Sequence, residues 1–282
     1  MPVVRIDSAD DPRIASYRNI PDRELLVRQG VFIAEGRLVV RRLLAAGAPR
    51  VRSILVSDAA LASLGDLIDE GRDAAQIYVG SRDLLNAIVG FNVHRGCLAC
   101  GERPPPLPLD VLLGSPDRAP LILLEAVGNP DNIGGIFRSA RALGARGVVL
   151  DPRCSDPLYR KAIRVSMGSS LEVPFVKVEG EWLRSLDAVR RAGCQLIGLT
   201  PAPDAAELAH VLSRRRGVPI AFLLGHEGSG LSDAAREHVD AEARISMTPG
   251  VDSLNVATAA AIALYEAGRQ GSEGRGARDL GT

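Results

Sequence analysis

From residue 121 onward, short apolar runs recur at 121–127, 147–150, 174–178, 195–199, 220–224 and 243–247. Helical patterns alternate with them at 132–144, 158–168, 181–192, 204–213, 232–239 and 255–268. This alternation narrows the choice of fold more than anything else in the chain. Parallel strands need long crossovers, and runs that are apolar throughout have no solvated face, so the pattern predicts a mostly parallel α/β sheet with helices on both sides. Such sheets bind ligands at the loops that follow the carboxyl ends of their strands.

The first 100 or so residues also alternate, but over a smaller unit. PDRELLVRQG reads as a helix ending at Gly30, VFIAEG as a strand, and RLVVRRLLAAG as a helix with apolar residues at 38, 39, 40, 43 and 44. SILVS, a helix around 59–71, QIYVG, a helix over SRDLLNAIVG capped by Ser81, and a last strand in RGCLACGE complete a small α/β sandwich. It contains no nucleophile–base pair, so its expected role is binding. The proline-rich stretch 102–120 reads as an extended connection. The expected division is a domain over 1–103, a linker over 104–119, a second domain over 120–268, and a polar, glycine-rich tail over 269–282 that is disordered.

Composition excludes some classes. Hydrophobic residues make up 46% of the chain and the formal net charge is zero. No apolar run reaches the roughly 18–20 residues of a membrane helix, and the start MPVVRIDSADDPR has no signal-peptide pattern. The expectation is a cytoplasmic protein. Arginines 13, 18, 23, 28, 37, 41, 42, 50 and 52 crowd the amino-terminal part, and Arg153, Arg160, Lys161 and Arg164 form a second knot. A phosphate-bearing partner accounts for this clustering, and so does a plain arginine bias, since Lys161 and Lys177 are the only lysines. Cys97 and Cys100 form a CxxC with no second pair, so no metal site is expected and all four thiols are expected to be reduced, most of them buried.

Three strand-end loops carry the chemistry. GNPDNIGGIFRSARALG (128–144) occupies the place of a dinucleotide-binding turn, and Asp151 stands where a ribose-binding carboxylate would stand. The glycines, however, do not follow GxGxxG, and there is no GK[ST]. Asn129 and Asn132 are good helix caps, but a helix needs only one. Arg138 and Arg141 share a helix face. IAFLLGHEGSGLS (220–232) runs a buried strand into a glycine loop bearing Glu227, and RISMTPGVDSLNVATAAAIALYEAGR (244–269) leads through Ser253 and Asn255 into a helix of small residues. Together the loops offer one carboxylate, one guanidinium and neutral hydrogen-bonding groups, with no Ser–His–Asp set.

The segments NxxNIGGIFRSA, LLGHEGSGLS and ISMTPGVDSLNVATAAAIALYE resemble the three ordered motifs of the SpoU/TrmH-type RNA ribose 2′-O-methyltransferases of the SPOUT class, over about 121–268. GVFIAEGRLVVRRLLAAG (30–47) and FNVHRGCLACGER (91–103) resemble the family's amino-terminal RNA-binding domain, similar to ribosomal protein L30e. The resemblance implies a deep trefoil knot in the parallel sheet, a homodimer with a shared site, and S-adenosylmethionine as cofactor. It implies Arg138, Asn132, Glu227, Ser253 and Asn255 as catalytic residues, and Thr200, Leu224, Gly225, Ile245, Met247 and Leu254 as the cofactor pocket. The partner would be RNA, ribosomal or transfer, contacted by Arg37, Arg41, Arg160 and Arg164; neither DNA nor a membrane is expected.

Overall fold

The computed structural model describes residues 3–18, 20–45, 50–62, 75–90, 96–215 and 217–276. The chain divides into two compact units: Met1–Pro105 together with Pro157–Glu172, and Pro106–Asp156 together with Val173–Thr282.

The first unit contains β1 (Val3–Arg5), α1 (Asp22–Glu24) continuing as a π-helical turn over Leu25–Gln29, β2 (Val31–Glu35), α2 (Arg37–Ala45), β3 (Val51–Ser57), α3 (Asp58–Ala62), β4 (Gln76–Gly80), α4 (Arg82–Val89) and β5 (Cys97–Glu102). Its sheet runs β1-β4-β3-β5-β2. β5 is antiparallel to both neighbours, and the pairs on the β1 side are parallel. Ile6, Ile14, Leu25, Ile33, Leu55, Leu85 and Leu98 form the core. Gly30 and Gly90 end their helical segments with φ of 63° and 76°, a conformation that favours glycine, and Ser81 caps α4 by accepting from Leu84 N. Of the expected apolar stripe on α2, Val39, Val40, Leu43 and Leu44 are buried, while Leu38 is exposed. Most of the helix expected at 59–71, and residues 91–95 of the CxxC region, lie outside the described residues.

The second unit opens with α5 (Leu109–Leu113), inside the stretch expected to be a linker. Leu112 is buried in this unit's core, so the chain from Pro106 packs here instead of hanging free. There follow β6 (Leu121–Leu124), α6 (Pro130–Ala142), β7 (Gly147–Leu150), α7 (Arg160–Val165), β8 (Phe175–Lys177), α8 (Trp182–Arg191), β9 (Gln195–Leu199), β10 (Ala206–Glu207), α9 (Leu208–Ser213), β11 (Ile220–Leu224), α10 (Asp233–Arg236), β12 (Ala241–Arg244) and α11 (Val256–Gly276). α7 belongs by packing to the first unit. Its Arg160 N–H donates to Asp22 (2.9 Å), and Arg42 Nη1 donates to the Met167 carbonyl just beyond it (2.6 Å).

All seven strands of the second sheet are parallel, in the order β10-β12-β9-β11-β6-β7-β8. β6 and β7 are buried along their whole length, as strands covered on both faces must be. The chain leaves β6 toward β7 and β8, returns at β9, and later inserts β11 between β9 and β6. β11 and β6 are therefore neighbours, with Leu224 beside Leu124, and their following loops emerge together. A strand expected over 243–247 ends at Arg244, and the short strand β10 precedes α9 where helix was expected. The last helix continues to Gly276, beyond the expected boundary at 268. Glu266 accepts from Arg269 (2.8 Å) and Gln270 (3.1 Å), and Gln270 also donates to the Ala209 carbonyl (3.1 Å), which holds the helix past its glycine.

Candidate active site

α6 begins directly after the β6 loop. Asn129 caps it, its side chain accepting from Asp131 N (2.9 Å), and Pro130 fills the first turn, where no backbone donor is needed. That leaves Asn132 free for other work, and it is 7% exposed. α11 packs against α6, and a Cβ placed on Gly135 would lie 2.9 Å from Ala257 Cβ, so glycine here admits the close approach. Ala260 and Ala263 are fully buried, as expected for the small residues of this helix.

The β11 loop is pinched at its neck. His226 and Gly230 exchange both backbone hydrogen bonds (3.0 and 2.9 Å), and a Cβ on Gly225 would fall 2.3 Å from the Gly230 carbonyl, inside contact distance. His226 Nδ1 accepts from Gly228 N (3.0 Å) and Ser229 N (3.2 Å), shaping the tip from which Glu227 projects.

Three loops then meet in one directional chain. The amides of Ala257 (2.9 Å) and Thr258 (3.3 Å), at the start of α11, donate to Asn255 Oδ1. Asn255 Nδ2 donates to Asn132 Oδ1 (2.8 Å), and Asn132 Nδ2 donates to Glu227 Oε1 (2.7 Å). Both ends fix the polarity. Helix amides can only donate and an ionised carboxylate can only accept, so each link between them must accept on one side and donate on the other. A carboxamide does this, which explains why the β6 loop carries Asn132 in addition to its cap Asn129. The positive helix terminus and the carboxylate polarise the chain in the same sense.

Of the expected catalytic residues, the structure joins Asn132, Glu227 and Asn255. Arg138 and Ser253 are exposed and lie outside the hydrogen-bond chain. Of the expected pocket, Leu224 is buried, and Thr200, Gly225, Ile245, Met247 and Leu254 are half-buried. Thr200 N donates to the Ala243 carbonyl (3.0 Å), tying the ends of β9 and β12 together. In the first unit Arg37 and Arg164 are exposed, and Arg41 and Arg160 are half-buried. Asp22, which accepts from Arg160 N, has its carboxyl pushed up by burial and pulled back by the Arg160 charge.

A fourth loop was marked in the sequence only by Asp151 and Arg153, which were not expected to join the other three. After β7, Asp151 (1% exposed) accepts from Arg153 N (2.7 Å), Arg153 Nε (2.9 Å) and Cys154 N (3.0 Å). The hydrogen bond to Asp151 holds Arg153 in its charged form. Ser155 reaches back to the β6 loop, its N–H donating to the Val127 carbonyl (3.0 Å) and its hydroxyl to the Gly128 carbonyl. The visible signal was Asp151 closing an apolar run. Cys97, Cys100, Cys154 and Cys194 are buried free thiols. Among the described residues no three His, Cys, Asp or Glu side chains group as a metal site.

A parallel α/β domain with side-chain amides and a carboxylate on adjacent strand-end loops, and no glycine cradle for a pyrophosphate, defines a class of enzyme other than the dinucleotide-binding folds. Within it, the model of the SpoU rRNA Methylase family matches residues 119–265, and the chain belongs to that family. It is 39% identical over 267 residues to an uncharacterized tRNA/rRNA methyltransferase of Mycobacterium bovis, covering 93% of this chain and 90% of the relative. It is 34% identical over 199 residues to the 23S rRNA (guanosine-2′-O-)-methyltransferase RlmB of Yersinia pestis, covering 69% and 78%. The structure of the SpoU methyltransferase AviRb from Streptomyces viridochromogenes in complex with AdoMet superposes with a TM-score of 0.78 at 28% identity, covering 93% of this chain and 100% of that one.

Proposed function

We propose that the protein transfers a methyl group from S-adenosylmethionine to a ribose 2′-hydroxyl of ribosomal RNA. The observation that carries this reading is the Asn255–Asn132–Glu227 chain, which joins all three motif loops at the carboxyl ends of β6 and β11. The residues present suit this cofactor. Ile245, Met247 and Leu254 offer half-buried apolar surface to an adenosine, beside the loop neck that Gly225 allows to close. When bound, the cofactor supplies a sulfonium methyl already activated for displacement.

The chain's own residues then have two tasks: aligning the hydroxyl and stabilising the charge it develops. A guanidinium keeps its proton in proteins, so Arg138 acts as a fixed positive charge beside the hydroxyl and its phosphate. The amide chain holds Glu227 on the glycine loop, where it orients the arginine or the RNA. Ser253 completes the ribose contacts. Arg138 and Ser253 are exposed in the single chain, which supports a homodimer whose second copy covers them. The close packing of α11 on α6, and the Gly225 pinch, support a carboxyl-terminal segment threaded as a trefoil knot.

The first unit is read as an RNA-binding module of L30e-like type, with Arg37 and Arg164 contacting phosphate. Its affinity for ribosomal RNA should fall steeply with salt and less steeply once either arginine is removed. The test of the function is a map of 2′-O-methyl positions in ribosomal RNA from cells with and without the protein. One position should disappear with it. An unchanged ribosomal map with a lost transfer RNA site would move the substrate to transfer RNA.

A further inference from the structure

Glu125 ends the apolar run of β6 and is 3% exposed. A carboxylate this deep is tolerated only when its oxygens are occupied. Ser232 N donates to Oε2 (2.9 Å), Ser232 Oγ donates to Oε1 (2.7 Å), and Arg153 Nη2 stands 3.4 Å from Oε1. The backbone N–H of Glu125 also donates to the Leu224 carbonyl (2.9 Å). Leu224 is the last residue before the glycine loop, and Ser232 is the first after it. One residue thus grips both ends of the loop that carries Glu227.

The loop's neck is closed by His226 and Gly230, so with its ends held it has little freedom left. Ala126, next to Glu125, stands at φ 57°, a left-handed conformation that a non-glycine residue keeps only where its surroundings impose it. Arg153 is anchored by Asp151 at 2.9 Å and carries the fourth loop into the same junction.

The geometry points to Glu125 as a positioning residue for the reaction. Through Ser232 and Leu224 it sets the height of the glycine loop, and so places Glu227 Oε1 within reach of Asn132. This rests on the role given to Glu227 above.

The test is Glu125→Gln, which keeps the shape, removes the charge and leaves one oxygen to serve both the Ser232 N–H and the Arg153 guanidinium, since the Ser232 hydroxyl can turn to accept but those two cannot. With tritiated S-adenosylmethionine and ribosomal RNA from cells lacking the protein, kcat should fall roughly 10-fold to 100-fold, the scale of a misplaced reacting group, with a smaller change in KM for the RNA. Amide exchange should quicken at His226 and Gly230 and stay unchanged within α6. In a Glu227→Gln background the same substitution should add less than about 2-fold, since residues acting through one another are not additive. Ser232→Ala should reproduce the pattern at smaller size, and it carries the test if Glu125→Gln does not fold.

Normal kcat in Glu125→Gln or, where that variant does not fold, in Ser232→Ala, beside an impaired Glu227→Gln, overturns the proposal and leaves the methyltransferase reading standing. So do multiplicative losses in the double variant, which mark Glu125 as merely structural. Normal turnover in Glu227→Gln removes the role of Glu227 and the proposal with it.

Discussion

Asn132→Asp is the sharpest perturbation of the amide chain, because it keeps the shape while changing one donor into an acceptor and adding one negative charge. The new carboxylate still accepts from Asn255 through one oxygen, but the other now faces Glu227 Oε1 at the 2.7 Å that the amide nitrogen occupied. Two unit charges at that distance repel by about 1.5 kcal/mol in a water-like medium and by about 6 kcal/mol at an effective dielectric of 20. Glu227 is exposed, so the lower figure governs, and its side chain can swing into solvent. What remains is the loss of one charge-assisted hydrogen bond, about 2 kcal/mol. In a unit of this size that lowers the melting temperature by roughly 4–8 °C.

The compensating variant combines Asn132→Asp with Glu227→Gln. The introduced glutamine then donates to the introduced aspartate, which still accepts from Asn255, and the chain is whole again with its charge moved by one link. Melting followed by circular dichroism should show most of the lost stability recovered. Methyl transfer should not recover, because the carboxylate no longer stands on the glycine loop. An Asn132→Asp melt within error of the parent, or a double variant no more stable than the sum of its parts, would refute the directional chain.

Other consequences follow from single contacts. Arg138→Ala should lower methyl transfer by about 100-fold or more, the scale of removing one electrostatic donor, while calorimetry shows cofactor affinity unchanged. Gly225→Ala must force the loop neck open, since its Cβ would meet the Gly230 carbonyl at 2.3 Å; cofactor affinity should fall at least about 10-fold. Hydrogen bonds from Arg13 hold the Asp11 carboxyl down at about 2. Because the folded value lies below the unfolded value of about 4, this stabilisation is complete above that range and is lost as pH falls toward 2. Asp11→Asn should flatten the acid limb of the first unit's melting curve. Burial pushes the Cys97 and Cys154 thiols up to about 12, so a thiol reagent at about pH 8 should label neither until denaturant is added.

Much of the sheet was legible because its strands are apolar on both faces. GVVL, QLIGL and IAFLL leave a reader few alternatives, and β7, β9 and β11 fall where those runs lie. The three motif loops were legible for a different reason: asparagine, glutamate and glycine at strand ends have few purely structural uses. What the chain kept hidden depends on contacts distant in sequence. The apolar residues Leu158, Ala162 and Ile163 fit a helix on either unit, and only the bonds of Arg160 N to Asp22 and of Arg42 to the Met167 carbonyl tie that helix to the first. Leu112 looks like part of a proline-rich tether until Gly147 is seen to leave room for it. Glu125 reads as the polar end of a strand, and its partner Ser232 lies 107 residues away.

The most direct test is chemical. Ribosomal RNA from cells lacking the protein is labelled with tritiated S-adenosylmethionine by the purified enzyme and then digested to completion with alkali. A methyl group on a 2′-oxygen blocks cleavage of the next phosphodiester, so the label should migrate as an alkali-resistant dinucleotide. Label recovered in mononucleotides would place the methyl on a base and contradict the account.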